Sequence, residues 1–241
     1  MPRNAHKIIL LFTSILFAWA CGRPESKKCT YIDLSWPFDN DTVYWPGLPS
    51  FTFPEVLDTY AQDGFSMFTY SAAEHGGTHI DAPVHFNPGA WTVAEIPFER
   101  LISTAALVDL SDEVAASGDP NFYVTPEHLE NWEKVNGPFE NGSVLLIKFG
   151  WSKYWPNKTN YLGLKSIPKE TAEWIVNQNK FYGVGVDTAS VDAGNANPLV
   201  AHQILLKGYL YNMEMINMNE ELPGTLRKKY SNHYQKNINV Q

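Results

Sequence analysis

Between His75 and His85 the chain reads His75-Gly76-Gly77-Thr78-His79-Ile80-Asp81-Ala82-Pro83-Val84-His85. Two adjacent glycines and a proline rule out a plain helix. Glycine costs a helix backbone entropy, and proline lacks the N–H and clashes with the preceding turn. Read as extended chain, the segment sends His79 and Asp81 out on the same face, since they are two positions apart. Three of the seven histidines and one carboxylate therefore crowd a short stretch. Two imidazoles and a carboxylate converging on one point form the nitrogen and oxygen donor set of a zinc or manganese site. His85, beyond the bend set by Pro83, is open to three readings: a fourth ligand, a base, or a hydrogen-bonded core residue.

The rest of the composition narrows the field. The chain has 241 residues, 44% of them hydrophobic, which suits one domain with a substantial core. Its net charge is −8, and no basic stripe suits a nucleic acid. The dense basic run Arg227-Lys228-Lys229 reads as a solvated tail. Arg3 and Lys7 precede an apolar run from Ile8 to Ala20, closed by the cleavage pattern Ala18-Trp19-Ala20. Residues 1–20 are therefore expected to be a signal peptide and the mature protein to be secreted. The apolar run is short for a membrane span, and no membrane partner is expected after cleavage. Residues 21–30 form a leader that carries both cysteines, Cys21 and Cys29. They either close one short-loop disulfide or stay unpaired. Both lie outside the motif region, which argues against cysteine catalysis. Asn40-Asp41-Thr42, Asn141-Gly142-Ser143 and Asn157-Lys158-Thr159 are glycosylation sequons.

Along the chain, Tyr31–Leu34 and Ser66–Ser71 read as early strands. Ala105–Leu110, Ser143–Phe149 and Phe181–Val186 read as buried strands, the second covered on both faces. Thr125 caps a predicted helix that begins at Pro126-Glu127, and a second helical pattern runs from Pro168 through Val176. Strands alternating with helices, beside early strands without them, predict a mixed α/β domain. Gly183 and Gly185 sit on a strand and form no phosphate loop. Asp187 and Asp192 read as loop-shaping residues, with Thr188 and Ser190. His6, His128 and His233 are given no function. Trp45, Phe65, Phe68, Trp91 and Trp151 lie beside the motif segments, and Trp45 foremost among them is a candidate to line an aromatic substrate pocket.

The histidine run fits H-x-G-T-H-x-D-x-P-x-H at every fixed position and resembles the signature of the cyclase family of metal-dependent hydrolases. That family includes bacterial-type kynurenine formamidase and isatin hydrolase. Further resemblances follow in order: Ile32-Asp33-Leu34-Ser35, Tyr44-Trp45-Pro46-Gly47, the segment Phe149 to Pro156, the segment Gly183 to Asp192, and His202-Gln203-Ile204-Leu205-Leu206 followed by Glu214. The resemblance covers residues 31–224. It implies a single swivelling α/β domain with a central barrel-like mixed sheet flanked by helices, and a homodimer. It implies that His75, His79 and Asp81 hold one metal, and that Asp81 bridges to a second ion held by His202 and Glu214. It makes His85 the free general acid/base. The cofactor expected is zinc, with manganese as the alternative, at one or two ions per chain. The implied reaction is hydrolysis of a small linear or cyclic amide, arylformamidase-like on an N-formylkynurenine type of substrate or isatin hydrolase-like on a lactam. The family continues past Leu222-Pro223-Gly224 with an apolar strand, whereas residues 225–241 here are polar and basic. That divergent tail motivates an alternative: a secreted, inactive relative with an extracellular or matrix role.

Overall fold

The computed structural model describes residues 31–163 and 166–219, Leu222, and the backbone of residues 238–239. The expected signal peptide, Cys21, Cys29, His6, His233 and the Arg227-Lys228-Lys229 run lie outside the described residues. In chain order the strands are β1 (Val56–Asp58), β2 (Met67–Phe68), β3 (His79–Asp81), β4 (Ile102–Ser103), β5 (Ala105–Asp109), β6 (Ser143–Lys148), β7 (Phe181–Val186), β8 (Tyr211–Glu214) and β9 (Ile238–Asn239). The helices are α1 (Tyr60–Asp63), α2 (Phe98–Leu101), α3 (Ser111–Ser117), α4 (Pro126–Asn136), α5 (Lys158–Tyr161), α6 (Lys169–Asn177) and α7 (Val200–Lys207).

Five strands form the central sheet in the order β3-β8-β7-β6-β5. The pairs β5–β6, β6–β7 and β7–β8 are parallel, and β3 is antiparallel to β8. The fold is thus the mixed α/β class expected from the sequence. Apolar residues fill β6 because both sheet faces are covered. Leu145 and Ile147 turn to one core, with Val184 and Val186 of β7, Leu129 of α4, Ile175 of α6, and Ala201 and Leu205 of α7. Val144 and Leu146 turn to the other, with Tyr211 and Met213 of β8, Ile96, Ile216 and Met218. Fully burying a side chain such as Leu145 contributes about 1.5–3 kcal/mol. Gly183 serves this second core by having no side chain: a Cβ there would stand 2.4 Å from the Tyr211 ring.

Local sequence sets the element ends. Pro126 opens α4 after Thr125, and His128 replaces the usual Glu or Gln of a capping box. Its Nδ1 accepts the Thr125 N–H at 2.8 Å, so this histidine has a structural role that the sequence reading did not assign. Asp187, fully buried, accepts backbone N–H bonds from Phe149 at 2.7 Å and Trp151 at 2.6 Å. Burial lifts its pKa to about 6, against the pull of those donors. This is the loop-shaping role expected of it.

Three expectations need correction. Tyr31–Leu34 forms no strand; among the described residues its ladder contact is limited to the Asn217 N–H donating to the Leu34 carbonyl. Of Ser66–Ser71, two residues pair as β2 with β1, and Ser71 makes an isolated bridge to Thr52. The side chains of that ribbon are mostly exposed, and among the described residues no layer covers it. In the tail, where the sequence predicts no strand, Ile238–Asn239 pairs antiparallel with Ile102–Ser103. Among the described residues, no helix is long and apolar enough to cross a membrane.

Candidate metal centre

The antiparallel pair β3–β8 puts His79 opposite Glu214 and Asp81 opposite Asn212. Opposed residues share a face, so His79, Asp81 and Glu214 converge on the side covered by α7. His75 reaches them across Gly76-Gly77. Gly77 takes φ 61°, a conformation that suits glycine. A Cβ on Gly76 would stand 2.0 Å from the Tyr44 ring, so this position has no room for a side chain. His202 arrives from above, near the start of α7. Asp81, His202 and Glu214 are all buried.

The carboxylates sit among the imidazoles. His75 Nδ1 is 2.8 Å and His79 Nε2 3.4 Å from Asp81 Oδ1. His202 Nε2 is 3.2 Å from both Asp81 Oδ2 and Glu214 Oε1. His79 Nε2 is 3.6 Å from Glu214 Oε2. The outer nitrogens are pinned. His79 Nδ1–H donates to the Gly77 carbonyl at 2.9 Å, and His202 Nδ1–H donates to Asp192 at 2.7 Å. Each bond leaves the corresponding Nε2 directed at the carboxylates, the arrangement that orients metal-binding histidines. Glu214 Oε1 is held in turn by the Val191 N–H at 2.8 Å.

Charge follows geometry. Burial pushes Asp81 up, but the His202 hydrogen bond and the adjacent imidazoles of His75 and His79 outweigh it and hold the carboxyl well below its ordinary range. Burial pulls His79 down, yet Asp81 and Glu214 raise it to about 9. His202 likewise rises to about 12 against burial, through Asp192, Asp81 and Glu214. The cluster is an anionic pocket in want of cations. His85 differs. It ends the short turn Pro83–His85, keeps an exposed edge and stacks on His75 at 4.1 Å between ring centroids. Partial burial lowers its pKa, assisted by the imidazoles of His75 and His202.

The donor set passes a test of fit for a divalent ion. His79 Nε2 and Asp81 Oδ1 are both buried, and neither has a hydrogen-bond partner among the described residues. His75 Nδ1 is close to Oδ1 without the alignment of a hydrogen bond. Buried polar atoms left this way are costly unless something positive joins them. Ligand atoms of His75, His79 and Asp81 lie within 4.8 Å of one another, as do those of Asp81, His85 and His202. The residues fit a nitrogen and oxygen ligand shell for a divalent metal.

The family model described as "Putative cyclase" matches residues 32–193. The chain belongs to the cyclase family. It is 25% identical over 200 residues to a kynurenine formamidase of Bacillus cereus, covering 82% of this chain and 87% of that one. It is 26% identical over 184 residues to the isatin hydrolase of Roseibium aggregatum, covering 70% and 69%. Among solved structures, isatin hydrolase A from Labrenzia aggregata bound to benzyl benzoate superposes with a TM-score of 0.71 at 25% identity, covering 80% of this chain and 82% of that one. A structure described as a potential metal-dependent hydrolase with cyclase activity shares the fold, with a TM-score of 0.60 at 16% identity, covering 81% and 85%. The chain is a cyclase-family metal-dependent hydrolase. The expected site residues are present and assembled, and the relatives are named as enzymes, so the alternative of an inactive matrix component has no support.

Sequence reasoning missed one member of this cyclase site. Asp192, read as a loop-shaping residue, takes hydrogen bonds from the Ala201 and His202 N–H groups as well as the His202 ring. An acidic residue shortly before a helix that carries a candidate ligand was the available signal. The aromatic candidates disperse. Trp45 packs half-buried against the cluster of Val43, Tyr161, Ala189 and Met215, next in chain to Glu214. Trp151 joins that cluster and donates to the Tyr161 carbonyl. Phe65 and Phe68 are exposed, and Trp91 packs on Tyr209 and Arg100.

Proposed function

We propose that this chain hydrolyses the C–N bond of a small amide, with an N-formyl aromatic amine of the formylkynurenine type as the first choice and an isatin-like lactam as the second. The observation that carries the reading is the facing pair of buried, unpartnered atoms, His79 Nε2 and Asp81 Oδ1. In this reading His75, His79 and Asp81 hold one divalent ion, and Asp81, His202 and Glu214 hold a second where two are bound. Zinc suits the donor set first and manganese next. When bound, such an ion supplies Lewis acidity toward a carbonyl and toward water.

The chain's own groups do the rest. His85 has a lowered pKa and is therefore neutral at pH 7, so its imidazole can take a proton and return it to the departing nitrogen. His85 is exposed to solvent, and Trp45 packs in the cluster that contains Met215, next in chain to Glu214. The names of the relatives support both substrate classes, one formamide and one lactam. A homodimer is part of the proposal. Phe53, Val56, Leu57, Phe65, Met67 and Phe68 are each about half exposed around the β1–β2 ribbon, a cluster that suits a second copy of this chain. Secretion and glycosylation complete it, supported by the leader pattern and the sequons, and N-terminal sequencing of exported material tests the leader.

The test is metal analysis of the purified full chain, followed by turnover of N-formylkynurenine and isatin. One or two equivalents of zinc or manganese with faster hydrolysis of the formamide supports the proposal. Absence of bound metal, or a loaded protein that opens neither substrate, overturns it.

A further inference from the structure

Asn212 is a buried polar side chain that the reading above leaves unused. It is 0% exposed in the middle of β8. Neither its amide nitrogen nor its amide oxygen has a hydrogen-bond partner among the described residues. Burying a primary amide unpaired is unfavourable, because both atoms lose hydration and gain nothing in exchange. A buried amide left unpaired demands a reason.

The ladder supplies one. Asn212 lies directly opposite Asp81, one alternation along from the His79–Glu214 pair. Directly opposed residues share a face and hold their Cβ atoms about 4.5–5.5 Å apart. Glu214, two positions on, shares that face as well. Tyr211 and Met213, which alternate with them, turn to the second core. On the other flank of Asn212 stands Val184 of β7, which offers an amide nothing. Asp81 Oδ1 is itself buried and unpartnered. A carboxylate oxygen and an amide, each lacking a hydrogen bond, are therefore neighbours on adjacent strands.

We propose that Asn212 is a positioning residue of the metal centre, its amide holding the Asp81 carboxylate through one bridging water. The proposal rests on the metal reading of this site. The amide NH₂ offers two donors, which suit a carboxylate that must stay charged while it ligates. A single water between the two groups would accept the amide N–H and donate to the carboxylate, which gives the amide nitrogen and Asp81 Oδ1 a partner each. Partners one step outside a ligand shell orient the ligands, and losing one typically weakens metal affinity about 10- to 100-fold. Asn212 contacts no ion in this arrangement, so its effect passes through Asp81.

The experiment compares Asn212→Val with Asn212→Thr in the full chain. The two replacements have the same shape and differ by a hydroxyl. Zinc affinity is read by competition with a chromogenic chelator, and the metal-free melting temperature is read in parallel. The expected result is about tenfold weaker zinc binding for Asn212→Val, with its metal-free melting temperature unchanged or higher. Asn212→Thr, which keeps a hydrogen-bonding hydroxyl, is expected to bind zinc more tightly than Asn212→Val. Equal zinc affinity in the two variants, whether at the wild-type level or below it, overturns the proposal. If Asn212→Val does not fold, Asn212→Ala and Asn212→Ser form the pair on which the same outcomes are judged. A wild-type chain that binds no zinc fails the metal reading itself, and the present proposal falls with it.

Discussion

Asp192 accepts a 2.7 Å hydrogen bond from the Nδ1–H of His202. The same carboxylate takes the backbone N–H groups of Ala201 and His202 at 2.8 and 3.0 Å. The start of α7 and the imidazole are thereby fixed by one residue, which sets both the position and the tautomer of a proposed ligand. Asp192→Asn keeps an acceptor for the helix and removes the charge that makes His202 basic. Its metal affinity is expected to fall about tenfold while its helical content stays at the wild-type level. Titration with zinc and circular dichroism check this. Unaltered affinity would show that the pair serves the helix alone.

His79 and His85 are expected to separate on substitution. His79→Ala removes an Nε2 directed at Asp81 and Glu214, so metal content and activity are lost together. His85→Ala keeps the metal and loses about 10²- to 10⁴-fold in rate, the usual span for a general acid–base group. Metal analysis beside single-turnover rates decides. If His85→Ala comes out as metal-free as His79→Ala, His85 is a ligand.

The pH dependence has a definite sign. In the folded metal-free chain His79 rises from its ordinary 6.5 to about 9. A folded pKa above the unfolded one means that stability from this proton is full below pH 6.5 and is lost as pH climbs through 9. The metal-free protein is therefore expected to melt lower at pH 9 than at pH 7. A divalent ion competes with the same protons, so its affinity climbs over that interval and uptake releases protons. Calorimetric titration in two buffers of different ionisation heat counts them. Uptake without proton release, with a flat melting temperature, contradicts the assignment.

Gly76 is expected to tolerate no side chain while Tyr44 is present. Gly76→Ala forces a Cβ into the Tyr44 ring, and overpacking of this kind costs about 1–3 kcal/mol. It also displaces His75 next to it and weakens metal binding. Tyr44→Ala in the same chain makes room and is expected to restore part of that binding. A double variant no better than Gly76→Ala alone would mean that backbone conformation, rather than the ring, sets the requirement.

What can be read from the sequence is whatever depends on local spacing. The period of two in β3 makes His79 and Asp81 neighbours before any partner strand is known. Continuous apolar runs locate β6 and β7 within a residue or so, because a strand covered on both faces carries its own signature. Tyr31–Leu34 misleads because strand propensity does not supply a neighbour, and here the neighbour contributes a single hydrogen bond. Asp192 and Asn212 escape for a related reason. Their importance comes from what the fold sets opposite them, His202 across a loop and Asp81 across a ladder, and neither distance is written in the local pattern.

The edge position of β3 has a kinetic consequence. This strand closes one side of the central sheet and is held by β8 alone within it. It brings Asp81 to His202 across a separation of 121 residues. Contacts that far apart bear a large loop-closure entropy and form late. The ligand shell is thus a clasp on an edge of the central sheet that closes through contacts far apart in sequence. Chelation should open that edge first, so amide exchange after metal removal should quicken at His79–Asp81 well before it does in β6, at the sheet's interior.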